Sequence, residues 1–295
     1  MKKSVPTKII TDIERQQTVA IVGMGLIGGS LALALKAHGL AIKVLGVEAD
    51  EIHAKKAMEC QLVDQIVDIE DAMLQASVVI MAIPVNAAEK LLPELLNACK
   101  DHIILDVGST KAAICKVAVA HSKGSHFVAT HPMWGTEFSG PEAAQHGAFT
   151  GKAVVICSED FSNKKALSWA ENMYTTMGMH LLYMSANSHD LHAAYVSHIS
   201  HITSFALANT VLEKEKEDEA IFEMASGGFE STVRLAKSNP AMWLPIFMEN
   251  KENVLDVLNE HISQLKKFKS CLEKENVGYL KELMENANKI TRILK

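Results

Sequence analysis

Short apolar runs alternate with amphipathic stretches along the first two-thirds of this chain and then stop. The runs stand at residues 19–22, 43–47, 76–83, 102–107, 125–130, 152–157 and 179–184. They are too short for helices and rich in valine and isoleucine, so each predicts a strand buried on both faces. Between them, residues up to 35, 50–60, 87–99, a segment after Lys111, and 164–177 have helical spacing. Such alternation predicts an α/β fold with a doubly wound, mostly parallel sheet, right-handed crossovers and helices on both faces. The last two runs are expected to extend the same sheet. After residue 184 no strand-like alternation remains, and an all-α region is expected. Its helices are predicted over 189–213, from near Asp218 or Glu219, over 239–272 and over 277–294, with the charged 213–219 stretch as a solvated helix end and turn. The division is placed there: residues 1–184 form one domain and 185–295 a helical second one.

The first strand leads into Gly23, Gly25 and Gly28 and then an alanine- and leucine-rich helix. Gly-x-Gly-x-x-Gly between strand and helix is a dinucleotide-binding fingerprint. Gly23 permits the tight turn, Gly25 lets the backbone approach a pyrophosphate, and Gly28 lets helix and strand pack closely. The N–H groups of the helix start, at Leu26 and Ile27, and the positive end of its dipole then face the phosphates. Glu48 ends the second strand, about 20 residues past the last glycine, as the fingerprint requires. A carboxylate there binds ribose hydroxyls and repels a 2′-phosphate, which favours NAD over NADP. The bland alternative is a glycine-rich turn in another α/β domain with Glu48 merely solvated.

Composition narrows the picture without changing it. With 295 residues, 48% of them hydrophobic, there is enough chain for a full core, and a net charge of −6 leaves no nucleic-acid footprint. Residues 1–17 lack an apolar signal core, and no window approaches a membrane span, so neither secretion nor a membrane partner is expected. Cys60, Cys99, Cys115, Cys157 and Cys271 are scattered without CxxC spacing, which reads as reduced thiols in a cytoplasmic protein.

Ligands of open α/β sheets bind beyond the C-terminal strand ends. Glu48, Pro84, Ser109 and the segment from His131 all follow apolar strands, so all should line one crevice. The stretch 131–140 reads as a functional loop, and His131 as a proton acceptor, because imidazole titrates near neutrality; otherwise it only hydrogen-bonds its loop. On the helix of 189–201, Asp190, Ser197 and His201 fall roughly on one side, as if lining a cavity. A zinc site on His198 and His201 is the rival, weakened by the lack of a carboxylate at ligand spacing; incidental surface histidines are the plain alternative. Arg234 is a candidate bidentate carboxylate clamp, or else an exposed arginine paired with Glu230.

Together these motifs resemble the prephenate dehydrogenase family of tyrosine biosynthesis. The resemblance rests on Gly-Leu-Ile-Gly-Gly-Ser-Leu, Asp-Val-Gly-Ser-x-Lys at 106–111, His-Pro-Met-x-Gly-Thr-Glu at 131–137, His-Asp with Ser-His-x-x-His at 189–201, Arg234, and Met-Trp at 242–243. It implies transfer of a hydride from prephenate to NAD⁺ while CO2 leaves, giving 4-hydroxyphenylpyruvate. It implies catalytic roles for His131, as acceptor of the hydroxyl proton, and for Ser109, beside it and the nicotinamide. Arg234 would hold the ring carboxylate. Ser197, His201, Trp243, Thr136, Glu137 and Asp190 would surround the substrate or shape its entrance, and the helical domain would form a homodimer. Three places depart from the family's common pattern: Trp134, expected to narrow the pocket, Ser231, and Leu244-Pro245. Rival readings are an arogenate dehydrogenase, a β-hydroxyacid dehydrogenase (which usually places a lysine where this helix offers histidines) and a non-catalytic NAD sensor.

Overall fold

The computed structural model describes residues 17–157, 159–216 and 220–292. The first region runs β1 (Thr18–Val22), α1 (Leu26–Ala37), β2 (Lys43–Val47), α2 (Glu51–Glu59), β3 (Gln65–Ile66), α3 (Ile69–Gln75), β4 (Val78–Met81), α4 (Val85–Ala98), β5 (Ile103–Asp106), α5 (Ala112–Ala120) and β6 (Phe127–Pro132). It continues with β7 (Ala153–Ile156), α6 (Lys164–Thr176) and β8 (His180–Tyr183). The strands form one eight-stranded sheet in the order β3-β2-β1-β4-β5-β6-β7-β8.

The apolar runs are continuous because each strand is covered twice. Val19, Ile21, Val78, Ile80, Ile103 and Leu105 pack into a core with α1 and α6. Their neighbours Ala20, Val22, Val79, Met81 and Ile104 face a second core with α3, α4 and α5. Period-two alternation of side chains therefore serves two cores, and no solvent face exists to interrupt the hydrophobic pattern. Chain direction reverses once: β7 pairs antiparallel with β6, while β7 and β8 are parallel. The segment between β6 and β7 contains only a short 3-10 turn, Pro141–Ala143, and no crossover helix. Without a crossover, β7 enters from the end at which β6 leaves, and antiparallel pairing follows.

Two elements, β3 and α3, have no counterpart in the sequence pattern. A two-residue strand carries no period, and α3 buries only Ala72. Its start is nevertheless written locally, since the Asp68 side chain caps it by accepting from Asp71 N at 2.7 Å.

The helical region begins with α7 (Ala186–Ala193), a single π turn (Ala194–His198) and α8 (Ile199–Glu215), which follow one another without a break. It continues through α9 (Ala220–Glu223), α10 (Gly227–Val233), a 3-10 turn (Arg234–Lys237), α11 (Pro240–Glu249), α12 (Lys251–Glu273), α13 (Val277–Asn288) and a last 3-10 turn (Lys289–Arg292). The helix start expected near Asp218 or Glu219 and the final residues of the one reaching 294 lie outside the described residues. The single helix expected over 239–272 is two, α11 and α12, meeting at Asn250. Asn250 is buried, and its side chain is turned inward to hydrogen-bond Asp190 and His198. The α11 start follows local rules: Asn239 accepts from Ala241 N at 2.9 Å, and Pro240 occupies the first helical position. No helix among the described residues is long and apolar enough to cross a membrane.

Candidate active site

Strand order runs outward in opposite senses from the β1–β4 pair, which opens a crevice at the C-terminal strand ends. The glycine turn lies at its floor. Gly23 has φ +93°, and a Cβ there would come within 2.5 Å of Ala82 O on the loop after β4. A Cβ on Gly28 would meet Gly23 O at 1.9 Å. Both positions thus exclude side chains through the protein's own backbone. Gly25 differs: a Cβ there meets nothing within 4 Å. It caps α1 with no side-chain acceptor at the helix start. An open, uncapped helix start beside a residue with no internal reason to be glycine is what an anionic ligand close to the backbone requires, and the dinucleotide fits.

Glu48 stands at the end of β2, but it is not merely solvated. Its Oε2 accepts from Met24 N at 2.7 Å and its Oε1 from Asp50 N at 3.0 Å. The carboxylate braces the glycine turn while remaining half-buried at the crevice. Pro84 is exposed and caps α4, with its carbonyl accepting from Ala87 N and Ala88 N at 2.9 Å each.

Ser109 is half-buried on the turn between β5 and α5, which a buried ion pair holds in shape. Asp106 Oδ2 accepts from Lys111 Nζ at 2.5 Å and from Gly108 N at 2.9 Å. Burial pushes the Asp106 carboxyl upward, while the Lys111 charge pulls it down. Thr110, next along the turn, donates to Glu249 Oε2 of α11 at 2.7 Å, and burial pushes the Glu249 carboxyl up.

His131 lies inside β6 rather than on a loop after it, paired with Val155 of β7. The expected loop therefore begins two residues later, and the histidine sits on the sheet itself. A strand is a stiffer mount than a loop. His131 Nδ1 lies 2.8 Å from His189 Nε2, and His189 Nδ1 lies 2.7 Å from Asp190 Oδ1. Burial, with the neighbouring His189, Lys111 and His198, holds the His131 imidazolium well below its ordinary pKa of 6.5. A histidine that is neutral at pH 7 has a lone pair ready to take a proton.

Asp190 is not at an entrance. It is 3% exposed, and both its oxygens are committed to protein: Oδ1 accepts from Lys111 N at 2.7 Å and Oδ2 from Ala112 N at 2.8 Å. A single π turn, Ala194–His198, interrupts the stretch over which α-helical counting places Asp190, Ser197 and His201 on one side. At the end of the turn His198 is buried against Asn250, with ring nitrogen and amide 3.2 Å apart, and burial lowers its pKa to about 4. His201 stacks on Trp243, ring centroids 3.5 Å apart, and burial lowers its pKa also. Ser197 offers its carbonyl to His201 Nδ1 at 3.1 Å. Among the described residues, no group of three or more His, Cys, Asp or Glu side chains is arranged to hold a metal ion.

Arg234 does not pair with Glu230. Its Nη1 reaches Glu137 Oε2, 2.7 Å away on the loop after β6, and joins the first region to the second. Glu230 lies 3.8 Å from Lys237 instead. The Arg234 segment is held from below by Ser204 of α8, whose hydroxyl donates to Thr232 O and accepts from Ala236 N, both at 3.1 Å. Arg234 remains half-exposed, with N–H groups beyond Nη1 to offer a ligand. Thr136 accepts from Phe138 N at 3.3 Å and shapes the same loop. Trp134 does not narrow the crevice: its ring packs edge-on against buried Phe149, centroids 5.5 Å apart, as part of the core.

Of the residues singled out in sequence, His131, Asp190, His201 and Trp243 are joined through one run of contacts by His189, Asn250 and His198. Arg234 and Glu137 form a separate pair, and Glu48 lies at the glycine turn. Sequence reasoning passed over His189, Lys111, Asn250 and Glu249 as individuals. His189 and Lys111 stand within quoted motifs. Asn250 had only one signal, a poor helix former in the middle of an apolar helical stretch.

Fold and site define a Rossmann-type oxidoreductase with a helical region completing the crevice. Comparison with known proteins gives the family. The model described as prephenate dehydrogenase, nucleotide-binding domain, matches residues 31–183, and that described as prephenate dehydrogenase, dimerization domain, matches 185–286. The chain belongs to the prephenate dehydrogenase family. It is 31% identical to the prephenate dehydrogenase of Bacillus subtilis over 90% of this chain and 73% of that one. It is also 31% identical to the cyclohexadienyl dehydrogenase of Zymomonas mobilis, over 94% of this chain and 96% of that one. The crystal structure of A. aeolicus prephenate dehydrogenase in complex with hydroxyphenyl propionate and NAD+ superposes with a TM-score of 0.84 at 30% identity, covering 94% of this chain and 97% of the other.

Proposed function

We propose that this enzyme oxidatively decarboxylates prephenate to 4-hydroxyphenylpyruvate with NAD⁺ as hydride acceptor, residues 1–184 binding the cofactor and residues 185–295 completing the substrate site and forming a homodimer. The observation that carries the reading is the neutral, sheet-mounted His131 at the head of a buried hydrogen-bonded chain. Bound NAD⁺ supplies the hydride acceptor, and the glycine turn, with Leu26 and Ile27 at the helix start, is suited to its pyrophosphate. Glu48 would meet the ribose hydroxyls and disfavour a 2′-phosphate.

The chain's own residues then have separable tasks. His131 takes the proton from the ring hydroxyl as C–H is broken, and Ser109 hydrogen-bonds the same hydroxyl. Arg234 holds the ring carboxylate by a charge-assisted contact until it leaves as CO2. His201 and Trp243 flank the side-chain end, with Ser197, Thr136 and Glu137 around them. Because the product ring is aromatic, the driving force lies in the substrate, and the protein's contribution is mainly position. Asp190 acts from inside the protein rather than on the substrate.

The test is NADH or NADPH formation with prephenate and with arogenate, each offered with NAD⁺ and NADP⁺. The highest kcat/KM is expected for prephenate with NAD⁺. A preference for arogenate would move the substrate assignment to the amino-acid analogue, and a preference for NADP⁺ would overturn the role given to Glu48.

A further inference from the structure

We propose that Asp190 and His189 are positioning residues that fix the tautomer of His131, and that Asp190 at the same time locks the turn carrying Ser109. The inference rests on His131 being the base, as proposed above, and assigns what sets that base.

The bonding pattern leaves little freedom. An ionised carboxylate only accepts, so the 2.7 Å contact between Asp190 Oδ1 and His189 Nδ1 requires the proton on His189 Nδ1. With that one proton on the ring, His189 has a bare Nε2. The 2.8 Å contact to His131 Nδ1 is satisfied only if His131 carries its proton on Nδ1. His131 Nε2 is left with the lone pair. When the substrate O–H bond breaks and an N–H bond forms at Nε2, the new imidazolium keeps its Nδ1–H on His189, and its charge is set against Asp190 through one ring. His189 and Asp190 are 2% and 3% exposed, so water does not compete for either contact. The charged and titratable groups around His131 are His189, Lys111 and His198; Asp190 and Asp106 stand directly behind them.

The same carboxylate caps α5. Lys111 precedes that helix and offers it no side-chain acceptor, and Asp190, from another segment of the chain, receives Lys111 N and Ala112 N. Asn250 holds the Asp190 backbone carbonyl at 2.7 Å, which fixes the carboxylate's own mount. One side chain thereby sets both the ring orientation in β6 and the turn after β5.

Asp190→Asn separates this from a merely structural role. The new amide would keep its oxygen for Ala112 N–H, retaining one of the two bonds to the α5 start, and turn its NH2 toward His189, driving the proton to His189 Nε2 and, in sequence, to His131 Nε2. Long-range ¹H–¹⁵N NMR of the full chain labelled in histidine, assigned with single histidine variants, reads both tautomers at neutral pH. In the unsubstituted protein, both rings are expected to carry the proton on Nδ1. The variant is expected to lose kcat by roughly 10²- to 10³-fold, with KM for prephenate and Kd for NAD⁺ changed by less than about threefold. Should Asp190→Asn not fold, His189→Gln leaves the α5 cap in place and is expected to show the same loss confined to kcat. His131 protonated on Nε2 in the unsubstituted protein, or full kcat in His189→Gln, would overturn the proposal. Full turnover in His131→Asn would instead overturn the base assignment itself, so the two failures are distinguishable.

Discussion

At the scale of single residues the site is governed by what burial does to charge. His131, His198 and His201 all have their imidazolium forms disfavoured, in each case chiefly by loss of water. The sign of the consequence follows from linkage. A histidine whose folded pKa lies below its unfolded value of 6.5 leaves the unfolded state holding more protons as pH falls, so stability is full above that value and drops below it. For His198, lowered to about 4, the loss between those two pH values is on the order of 3 kcal/mol. Urea denaturation at pH 7.5 and pH 5 should show the midpoint moving down at the lower pH; an unchanged midpoint would mean these rings are solvated. Turnover should follow the same direction, with the acidic limb of kcat/KM centred below 6.5, since the proposed base His131 can accept a proton only while neutral. Arg234→Lys tests the carboxylate clamp: KM for prephenate should rise about 10-fold or more with Kd for NAD⁺ unchanged, because an ammonium cannot reproduce a bidentate contact. A loss confined to kcat would argue against that role.

At the scale of elements, the glycine turn separates cofactor binding from folding. Gly25→Ala should leave the unliganded protein's melting temperature unchanged to within about a degree or two, because its Cβ meets no atom within 4 Å, yet it should weaken NAD⁺ binding about 10-fold or more. Gly28→Ala should damage both, since its Cβ would lie 1.9 Å from Gly23 O. Thermal shift with and without NAD⁺ distinguishes the two, and equal effects would dissociate the turn from the cofactor. The elements that the sequence announced are those whose pattern is local. Buried strands read as apolar runs, the fingerprint reads as glycine spacing, and Asn239 with Pro240 reads as a helix start. What escaped depends on distant contacts. The π turn has no sequence period of its own. At the break, the Asn250 amide meets Asp190 and His198, which are far away in the chain. His131 reads as a loop residue because its strand continues past the apolar run to Pro132.

At the scale of the whole molecule, the crevice needs both regions. His189 from α7, bonded to Asp190, meets His131 on β6, Glu249 from α11 reaches Thr110 on the β5–α5 turn, and Glu137 meets Arg234. The helical region also carries exposed apolar side chains along α12 and α13, among them Ile262, Leu265, Leu272, Val277 and Met284. With the family match to a dimerization domain over 185–286, they support the proposed homodimer. Light scattering should give twice the 32.2 kDa chain mass, and a doubly substituted Ile262→Glu, Leu265→Glu chain should shift toward monomer. A monomer in the unsubstituted protein at micromolar concentration would refute the assembly. Both expectations concern the surface. The chemistry concerns one ring on β6. Its most direct measurement is NADH formation from prephenate by the unsubstituted enzyme and by His131→Asn, with NAD⁺ affinity measured on both. Turnover should fall by roughly 10²- to 10⁴-fold while NAD⁺ affinity stays the same; equal turnover in the two proteins would contradict the assignment of His131 as the base.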